Sequence, residues 1–519
     1  GLYSLDGECS NTCMDVDGIP NVRTENTLLQ DGMTVKAQNV VGSADRDWLA
    51  FIDKFDWMMP AGFYYKTMHK PAAIWPVAMK QIRKAAGLGL ISADYEMTGR
   101  YDELFLQAEI TVIGGGGAGM AAALAAAESG QRVILLEARP HLGGCFDYRV
   151  STNETGTPLY RRSHDLAAQV EQAANIRVFQ HTAMVGAYNN NLITAFQVGK
   201  PGDAFTERYI EIRSDSVVVA TGCIERPLLF DNNERPGVMQ VGCAHRLART
   251  YGLLPGSEAV FSVGHDLGLE AAVDLFDLGL RIACVADIRE DGQNPELLLA
   301  LADRKIPVLK GWVAAKAHGG RQVKKVTLAT VEGTVRRNFA CDVLVASAGL
   351  TPVTGPFILA QAKMGYDNHT GYFLPTERPE NMFPAGRLTG INHPDAIEAS
   401  GRLAGLRAAV AAGSDLAAAI TRAQAASAAL PGPERGCKLV TAPVKGRKSF
   451  ICFDEDATVK SVKQAIDMGF DVPELVKRFA GVGLGPGQSG IPGHNLPLFV
   501  AKYTASTKTP KPTTVRPPL

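Results

Sequence analysis

The chain has 519 residues, 46% of them hydrophobic, and its Lys plus Arg and Asp plus Glu balance at 53 each. That length suits about three domains with sizeable cores, and the charge balance leaves no basic field to attract nucleic acid or an anionic membrane. No apolar run nears the ~18 residues of a membrane span and no secretory leader is visible, so a cytoplasmic protein is expected, although residue 1 is Gly and the natural N-terminus can be missing.

Residues 1–43 are short and turn-rich, with a VDG turn at Val16 to Gly18. The next segment, 44–105, is rich in aromatics: Trp48, Phe51, Phe55, Trp57, Phe63, Tyr64, Tyr65 and Trp75. A packing layer and an interface with a partner chain or cofactor explain it equally well, because aromatic side chains suit both.

The most informative stretch is 109–144, EITVIGGGGAGMAAALAAAESGQRVILLEARPHLGG. Ile110, Val112 and Ile113 predict a buried strand, and Gly114, Gly116 and Gly119 supply a G-x-G-x-x-G turn that also includes Gly117 and Ala118. The first glycine permits the tight turn, the second lets a pyrophosphate approach the backbone, and the third lets the following helix pack on the strand. The phosphates would sit on that helix's N-terminus. Met120 to Ser129 predicts the helix and Arg132 to Leu136 the second strand, with Glu137, Ala138 and Arg139 at its end. A carboxylate there accepts both ribose hydroxyls, which favours NAD or FAD over NADP. Strand, helix and acid together make this a dinucleotide site rather than a lone glycine-rich loop.

The nine cysteines are scattered, odd in number and mostly inside strand-like or Gly-rich segments, which is the usage of a reducing compartment. Cys145 follows Gly143-Gly144, near where flavin disulfide reductases carry a redox pair, but Phe146 to Val150 holds no second cysteine, so a packed thiol is expected.

Ser216 to Gly222, SVVVATG, predicts a strand returning to the first sheet and placing Thr221 and Gly222 beside the nucleotide. A second βαβ pattern follows. Ala259 to Val263 is its first strand, Gly264 and Gly268 open a helix reaching Leu278, and Arg281 to Ala286 is its second strand, ending at Asp287. Its glycine spacing is degenerate, so a structural role is favoured over phosphate binding. Asp342 to Gly349 is another returning strand, and Met382 to Gly390, MFPAGRLTG, leads into an Ala-rich helix over Asp395 to Ala412. The pattern predicts an α/β fold of two dinucleotide-binding Rossmann-type domains, the second inserted into the first. The expected division is 106–255 with 340–430 for the first domain, 256–339 for the insert, 431–502 for a small α+β module and 503–519 for an extended arm.

PAGFYYKT (Pro60 to Thr67), the GGGGAG unit with Glu137, ATGCIERPLLF (Ala220 to Phe230), RPGVM (Arg235 to Met239), FPAGRLTG and DAIEASGRLAGLRAA (Asp395 to Ala409) together resemble the α subunits of heterotetrameric sarcosine oxidases and their opine, proline and N-methyl amino acid dehydrogenase relatives. The resemblance covers nearly the whole chain. It implies one chain of a multi-subunit flavoprotein oxidoreductase that acts on sarcosine or a similar N-alkyl amino acid, whose partners are small accessory subunits and a FAD-containing β subunit. It also implies NAD, or FAD in the opine and proline relatives, at the Gly114 site, with contacts extending to Gly144, Thr221, Gly222, Gly386 and Arg387. FMN would lie at the subunit interface, near Tyr64, Tyr65 and Lys66. Arg387 stands where flavoproteins of this fold commonly carry an aspartate, which favours NAD.

Related N-terminal domains fold like ferredoxin and hold a 2Fe-2S cluster on four thiolates. Laid on that spacing, the positions here are Ser4, Cys9, Thr12 and Glu25, and a second candidate set near the C-terminus reads Cys452, Asp454 and Gly487. The expectation from these substitutions is a ferredoxin-like remnant over 1–43 and a chain with no iron-sulfur cluster and no metal ligands. Thr514-Val515-Arg516-Pro517-Pro518 matches the junction that precedes a folate-binding domain in the long relatives. A non-catalytic nucleotide-binding scaffold is the rival from another class.

Overall fold

The computed structural model describes residues 2–6, 13–24, 27–38, 40–43, 46–48, 70–85, 99–438, 441–443, 446, 448–485, 487, 490 and 492–515. At the N-terminus β1 (Cys13–Val16) pairs antiparallel with β2 (Ile19–Arg23) and with β3 (Val35–Lys36). The VDG turn joins the first two: Asp17 and Gly18 both have positive φ, 51° and 83°, as a tight two-residue hairpin loop requires. Ahead of this sheet Tyr3 is buried among Val260, Leu344 and their neighbours and meets the Phe453 ring edge-on, centroids 4.8 Å apart, which anchors the chain start to the body of the molecule.

The first nucleotide unit runs through β4 (Tyr101–Ile113), α1 (Gly117–Ala127), β5 (Val133–Leu136), α2 (Leu159–Gln172) and β6 (Ile176–Phe179). A hairpin of β7 (Thr182–Tyr188) and β8 (Leu192–Val198) then feeds β9 (Glu207–Val219). The sheet order is β6-β5-β4-β9-β8-β7, parallel from β6 to β9 and antiparallel in the hairpin. All four residues of β5 are buried, the uninterrupted apolar run expected of a strand covered on both faces.

The chain leaves this sheet through β10 (Cys223–Glu225) and enters the second unit: β11 (Val238–Met239), α3 (Val241–Arg249), β12 (Glu258–Val263), α4 (Asp266–Asp277), β13 (Arg281–Asp287) and β14 (Val308–Lys310). An antiparallel sheet of β15 (Trp312–His318), β16 (Lys325–Thr330) and β17 (Arg336–Ala340) covers it, and β18 (Val343–Ser347) completes the parallel order β11-β18-β12-β13-β14. The return path is β19 (Leu350–Pro352), paired antiparallel with β10, then β20 (Met382–Pro384), which adds to β9 in parallel.

The last element of the first unit is α5 (Pro394–Ala411), which lies against α1. The approach is close because both faces are made of small residues. A Cβ on Gly401 would fall 2.0 Å from Ala118 O, and one on Gly405 would fall 2.2 Å from Ala122 O. Beyond it, α6 (Val459–Asp467), α7 (Pro473–Ala480) and α8 (Pro492–Tyr503) pack a separate core around Cys452, Val462, Val476 and Phe499. The Thr/Lys/Pro-rich tail does not simply extend into solvent: Thr513 is buried, and Thr514 donates N–H and O–H to Glu474 on α7. None of the described helices is long and apolar enough to cross a membrane.

Candidate functional site

The glycine turn sits between the C-terminal end of β4 and the start of α1. Gly114 has φ 102°, and a Cβ there would fall 2.5 Å from Ala220 O, so the end of β9 rests on the turn. Thr221 and Gly222 follow directly, with Thr221 Oγ1 donating to Val353 O at 2.7 Å. Gly119 allows the closest contact within this glycine turn, its missing Cβ lying 1.8 Å from Gly114 O. Gly116 differs. Its φ of −76° suits any residue, and an added Cβ would meet nothing nearer than 3.9 Å, at Gly143 O and Gly144 Cα. Neither backbone nor packing explains the glycine at 116; an open cradle at the N-terminus of α1, which has no side-chain cap, does.

Glu137 ends β5 with its carboxylate turned back on the turn. Oε2 accepts the Gly115 N–H at 2.7 Å and Oε1 the Arg139 N–H at 2.8 Å. The residue is 8% exposed, and burial pushes its pKa above the ordinary 4.5 against the pull of those two N–H groups. Each oxygen keeps a second lone pair for a ribose hydroxyl. Ala138 is exposed and Arg139 half-buried beside it, while Gly144 approaches Gly116 so closely that a Cβ on it would lie 3.0 Å from Gly116 Cα. Gly386 packs on the first turn of α1, its missing Cβ 2.6 Å from Ala118 Cβ. The structure thus gathers Gly114 to Gly119, Glu137, Gly144, Thr221 and Gly386 around one turn. Tyr64, Tyr65 and Lys66 lie outside the described residues.

The corresponding turn of the second unit is filled. A Cβ on Gly264 would meet Cys437 Cβ at 3.1 Å and Sγ at 3.2 Å, so the strap after α5 packs directly on the first glycine of that turn. Asp287, at the ribose position, is fully buried and chelated by Arg289 at 2.8 and 3.0 Å, and Arg289 also holds Asp266 at 2.7 Å.

Between the two units lies a narrow cleft, partly open to solvent, that sequence reasoning did not find. Arg149 and Glu270 pair across it at 3.0 Å with side chains 8% and 12% exposed. Glu225 accepts the Val241 N–H at 3.0 Å and that of Gly242, closing the N-terminus of α3; burial raises its pKa. His245 gives Nε2 to Asp274 at 2.7 Å, and Arg249 also binds Asp274. Arg246 lies over the Tyr148 ring at 5.0 Å from its centroid. Arg387 turns its side chain into this cleft rather than onto the glycine turn, donating Nε to Asn392 Oδ1 at 3.2 Å. The wall residues come from separate segments with no shared spacing, and the only local hint is Arg149, four residues after the GGC turn.

The sequence suggested no metal ligands. The fold nevertheless brings Glu154, His393 and Asp395 within 4.8 Å of one another. They sit at the N-terminus of α5, where the helix dipole opposes a cation, and Asp395 already accepts the Glu154 N–H at 2.8 Å.

A glycine turn with a cradle open at Gly116, a ribose-side acid, and a second unit of the same kind inserted between two returning strands define a flavoprotein-type nucleotide-binding oxidoreductase fold. Residues 108–380 match the family model described as pyridine nucleotide-disulphide oxidoreductase. That is more than half of the chain, and the chain belongs to this family. Residues 446–519 match the sarcosine oxidase A3 domain. The chain is 28% identical to the alpha subunit of sarcosine oxidase from Rhizobium meliloti (strain 1021), across 93% of its own length and 48% of that protein. It is 26% identical to an opine oxidase subunit of Agrobacterium tumefaciens (strain Ach5), over 73% of this chain and 82% of the other. The chain therefore spans about half the length of the sarcosine oxidase relative. A crystal structure of L-proline dehydrogenase from P. horikoshii superposes with TM-score 0.70 at 18% identity, covering 96% of this chain and 85% of that one, which shows a shared fold.

One expectation is overturned. Residues 1–40 match the 2Fe-2S iron-sulfur cluster binding domain, so the reading of a chain without an iron-sulfur centre does not stand. That reading laid the segment on the thiolate spacing without insertions, and a turn-rich loop has no hydrophobic period to fix such a register. Of the four positions it used, only Ser4 is among the described residues. Its buried hydroxyl donates to Asp6 Oδ1 at 2.6 Å.

Proposed function

We propose that the chain is the nucleotide-binding α-type subunit of a flavin amine oxidoreductase complex that oxidises sarcosine or a related N-alkyl amino acid, with NAD at the Gly114 site. The observation that carries the nucleotide assignment is the open space above Gly116, whose glycine nothing in the fold itself requires. Around it the N-terminus of α1 faces the pyrophosphate, Glu137 the adenosine ribose, and Thr221, Gly222 and the Gly386 main chain the rest of the dinucleotide. A nicotinamide dinucleotide supplies a hydride acceptor or donor when bound. What this chain contributes is orientation and a shielded pocket: Glu137 fixes the ribose, and the turn from Gly143 to Cys145 closes over the phosphates.

Arg387 favours NAD over FAD here, because a carboxylate that would accept flavin ribityl hydroxyls is replaced by a cation pointing elsewhere. Sequence kinship with the sarcosine oxidase and opine oxidase chains supports a place beside a FAD-bearing partner, with FMN at the interface formed by the Tyr64 to Lys66 segment.

The chain should be expressed alone and with a FAD-bearing partner. Alone it is expected to retain NAD, identified by mass spectrometry after acid release, and to be inert toward sarcosine; with the partner it gains a flavin spectrum and turnover. Gly116→Val removes the NAD. Flavin in the isolated chain that bleaches on adding sarcosine would overturn the assignment and move catalysis onto this subunit.

A further inference from the structure

Arg149, Arg246 and Arg387 line the cleft between the two units. Arg149 is matched by Glu270, and Arg246 donates to the Ser4 and Leu5 carbonyls and lies over the Tyr148 ring. Among the described residues Arg387 has no ion-pair partner. Its guanidinium makes one hydrogen bond, through Nε to the neutral Asn392 side chain, and Asn392 Nδ2 passes on to Glu434 Oε2 at 3.1 Å. The two Nη groups are left with no protein acceptor among the described residues. Arg387 is half-buried, so its free Nη edge faces the cleft as a ready donor pair for an anion.

We propose that Arg387 is the anchor of a small-carboxylate subsite in the inter-unit cleft, separate from the phosphate cradle at Gly116. With Nε held by Asn392, the side chain offers its paired Nη edge, the geometry that grips a carboxylate with two parallel hydrogen bonds. The dinucleotide phosphates have donors of their own at the start of α1. The cleft walls set Glu225, Glu270 and Asp6 against Arg149, Arg246 and Arg387, a formal balance in which the one guanidinium edge of Arg387 matches a monovalent carboxylate better than a phosphate dianion. Cys223 lines the same cleft and touches the Arg387 main chain: its Sγ donates to Arg387 O at 3.1 Å, and burial pushes the thiol up to about 11. It therefore reports on what binds next to Arg387. The inference rests on the cleft alone and does not require nucleotide at Gly116.

The test uses the unaltered full chain and two alkylating probes of nearly equal size, the anionic iodoacetate and the neutral iodoacetamide, at alkaline pH, with Cys223 modification read by peptide mass spectrometry. The iodoacetate to iodoacetamide rate ratio at Cys223 is expected to exceed that at Cys437 in the same chain. Arg387→Gln should lower the Cys223 ratio about tenfold, the effect of losing a charge-assisted hydrogen bond, while Arg387→Lys retains part of it. Acetate should protect Cys223 from iodoacetate in the unaltered chain, and inorganic phosphate at equal ionic strength should not. The acetate measurement decides the matter should Arg387→Gln fold poorly. An unchanged ratio in a folded Arg387→Gln, or protection by phosphate alone, overturns the proposal, the latter in favour of nucleotide phosphates. NAD binding measured in parallel shows separately whether the Gly116 cradle is correct.

Discussion

Glu137 Oε2 accepts the N–H of Gly115 at 2.7 Å, which makes the ribose-side acid and the phosphate turn one hydrogen-bonded unit. Removing the acid should therefore act twice. Glu137→Ala is expected to weaken NAD binding by about 1.5–3 kcal/mol, the worth of hydrogen bonds to a charged carboxylate, and to loosen the turn as well. Calorimetry showing unchanged affinity would remove Glu137 from the site.

The same residue sets a pH dependence. Its folded pKa is raised above 4.5 by burial, so on acidification Glu137 takes up a proton earlier than an exposed glutamate and loses acceptor capacity. NAD affinity should fall on lowering the pH, beginning above pH 4.5, and Glu137→Gln should flatten that slope. For stability the sign is opposite. A raised carboxyl pKa means that the contribution is full below the unfolded value and declines as pH rises through the folded one.

Two neighbouring glycines should separate folding from binding. Gly116→Ala places its Cβ 3.9 Å from the nearest atom, so thermal stability should change little while NAD affinity falls sharply. Gly119→Ala drives a Cβ to 1.8 Å from Gly114 O and should destabilise the unit by about 1–3 kcal/mol, read from denaturant midpoints. Equal effects on both properties in both variants would contradict the cradle.

The buried pair Arg149 and Glu270 should be costly to break and cheap to replace. Glu270→Ala strands a guanidinium only 8% exposed and should cost about 3–5 kcal/mol, whereas an Arg149→Met, Glu270→Leu double variant should cost far less. Burial tends to raise the Glu270 pKa, but the Arg149 charge and hydrogen bonds outweigh it and hold the group below 4.5. Its stabilisation is thus present above pH 4.5 and is lost as pH falls through the depressed value. Urea midpoints of the unaltered chain against both variants across that range provide the check.

The strap over Gly264 and the Arg289 clamp on Asp287 predict that the isolated chain binds one equivalent of NAD. Cys437→Ala should leave that stoichiometry at one, because Arg289 still occupies the ribose acid. A second equivalent in titration would show that the strap moves aside.

Local signals were readable in the sequence and assembled ones were not. The helix expected over Met120 to Ser129 spans Gly117–Ala127, starting earlier because the glycine turn itself forms the first helical turn. The helix expected over Asp395 to Ala412 appears as Pro394–Ala411. The strand read at Ser216 to Gly222 instead covers Glu207–Val219. Its first half, ERYIEIRSDS, is too charged to read as apolar, yet it alternates with period two and pairs in register with β4 from Tyr101 onward. α8 was missed because Pro497 lies inside it. The ribose and phosphate sides of the candidate site sit within one short stretch and were visible for that reason. The Arg149, Glu225, His245 and Arg387 cleft exists only once distant segments meet.

The packing of α5 on α1 joins residues nearly three hundred positions apart, and β20 reaches β9 across more than one hundred and sixty. A ribosome making this chain therefore delivers the Gly114 turn long before the helix that clamps it. Until Met382–Ala411 emerges, the Ala-rich face of α1 lacks α5 and the last three residues of β9, Val217 to Val219, lack β20 on one side, while the whole second unit can already close on itself. The inserted half is thus placed to fold first during vectorial synthesis, and the half that carries the cradle last. Fragments ending before residue 382 should then be captured by chaperones or aggregate, although they contain the complete glycine motif.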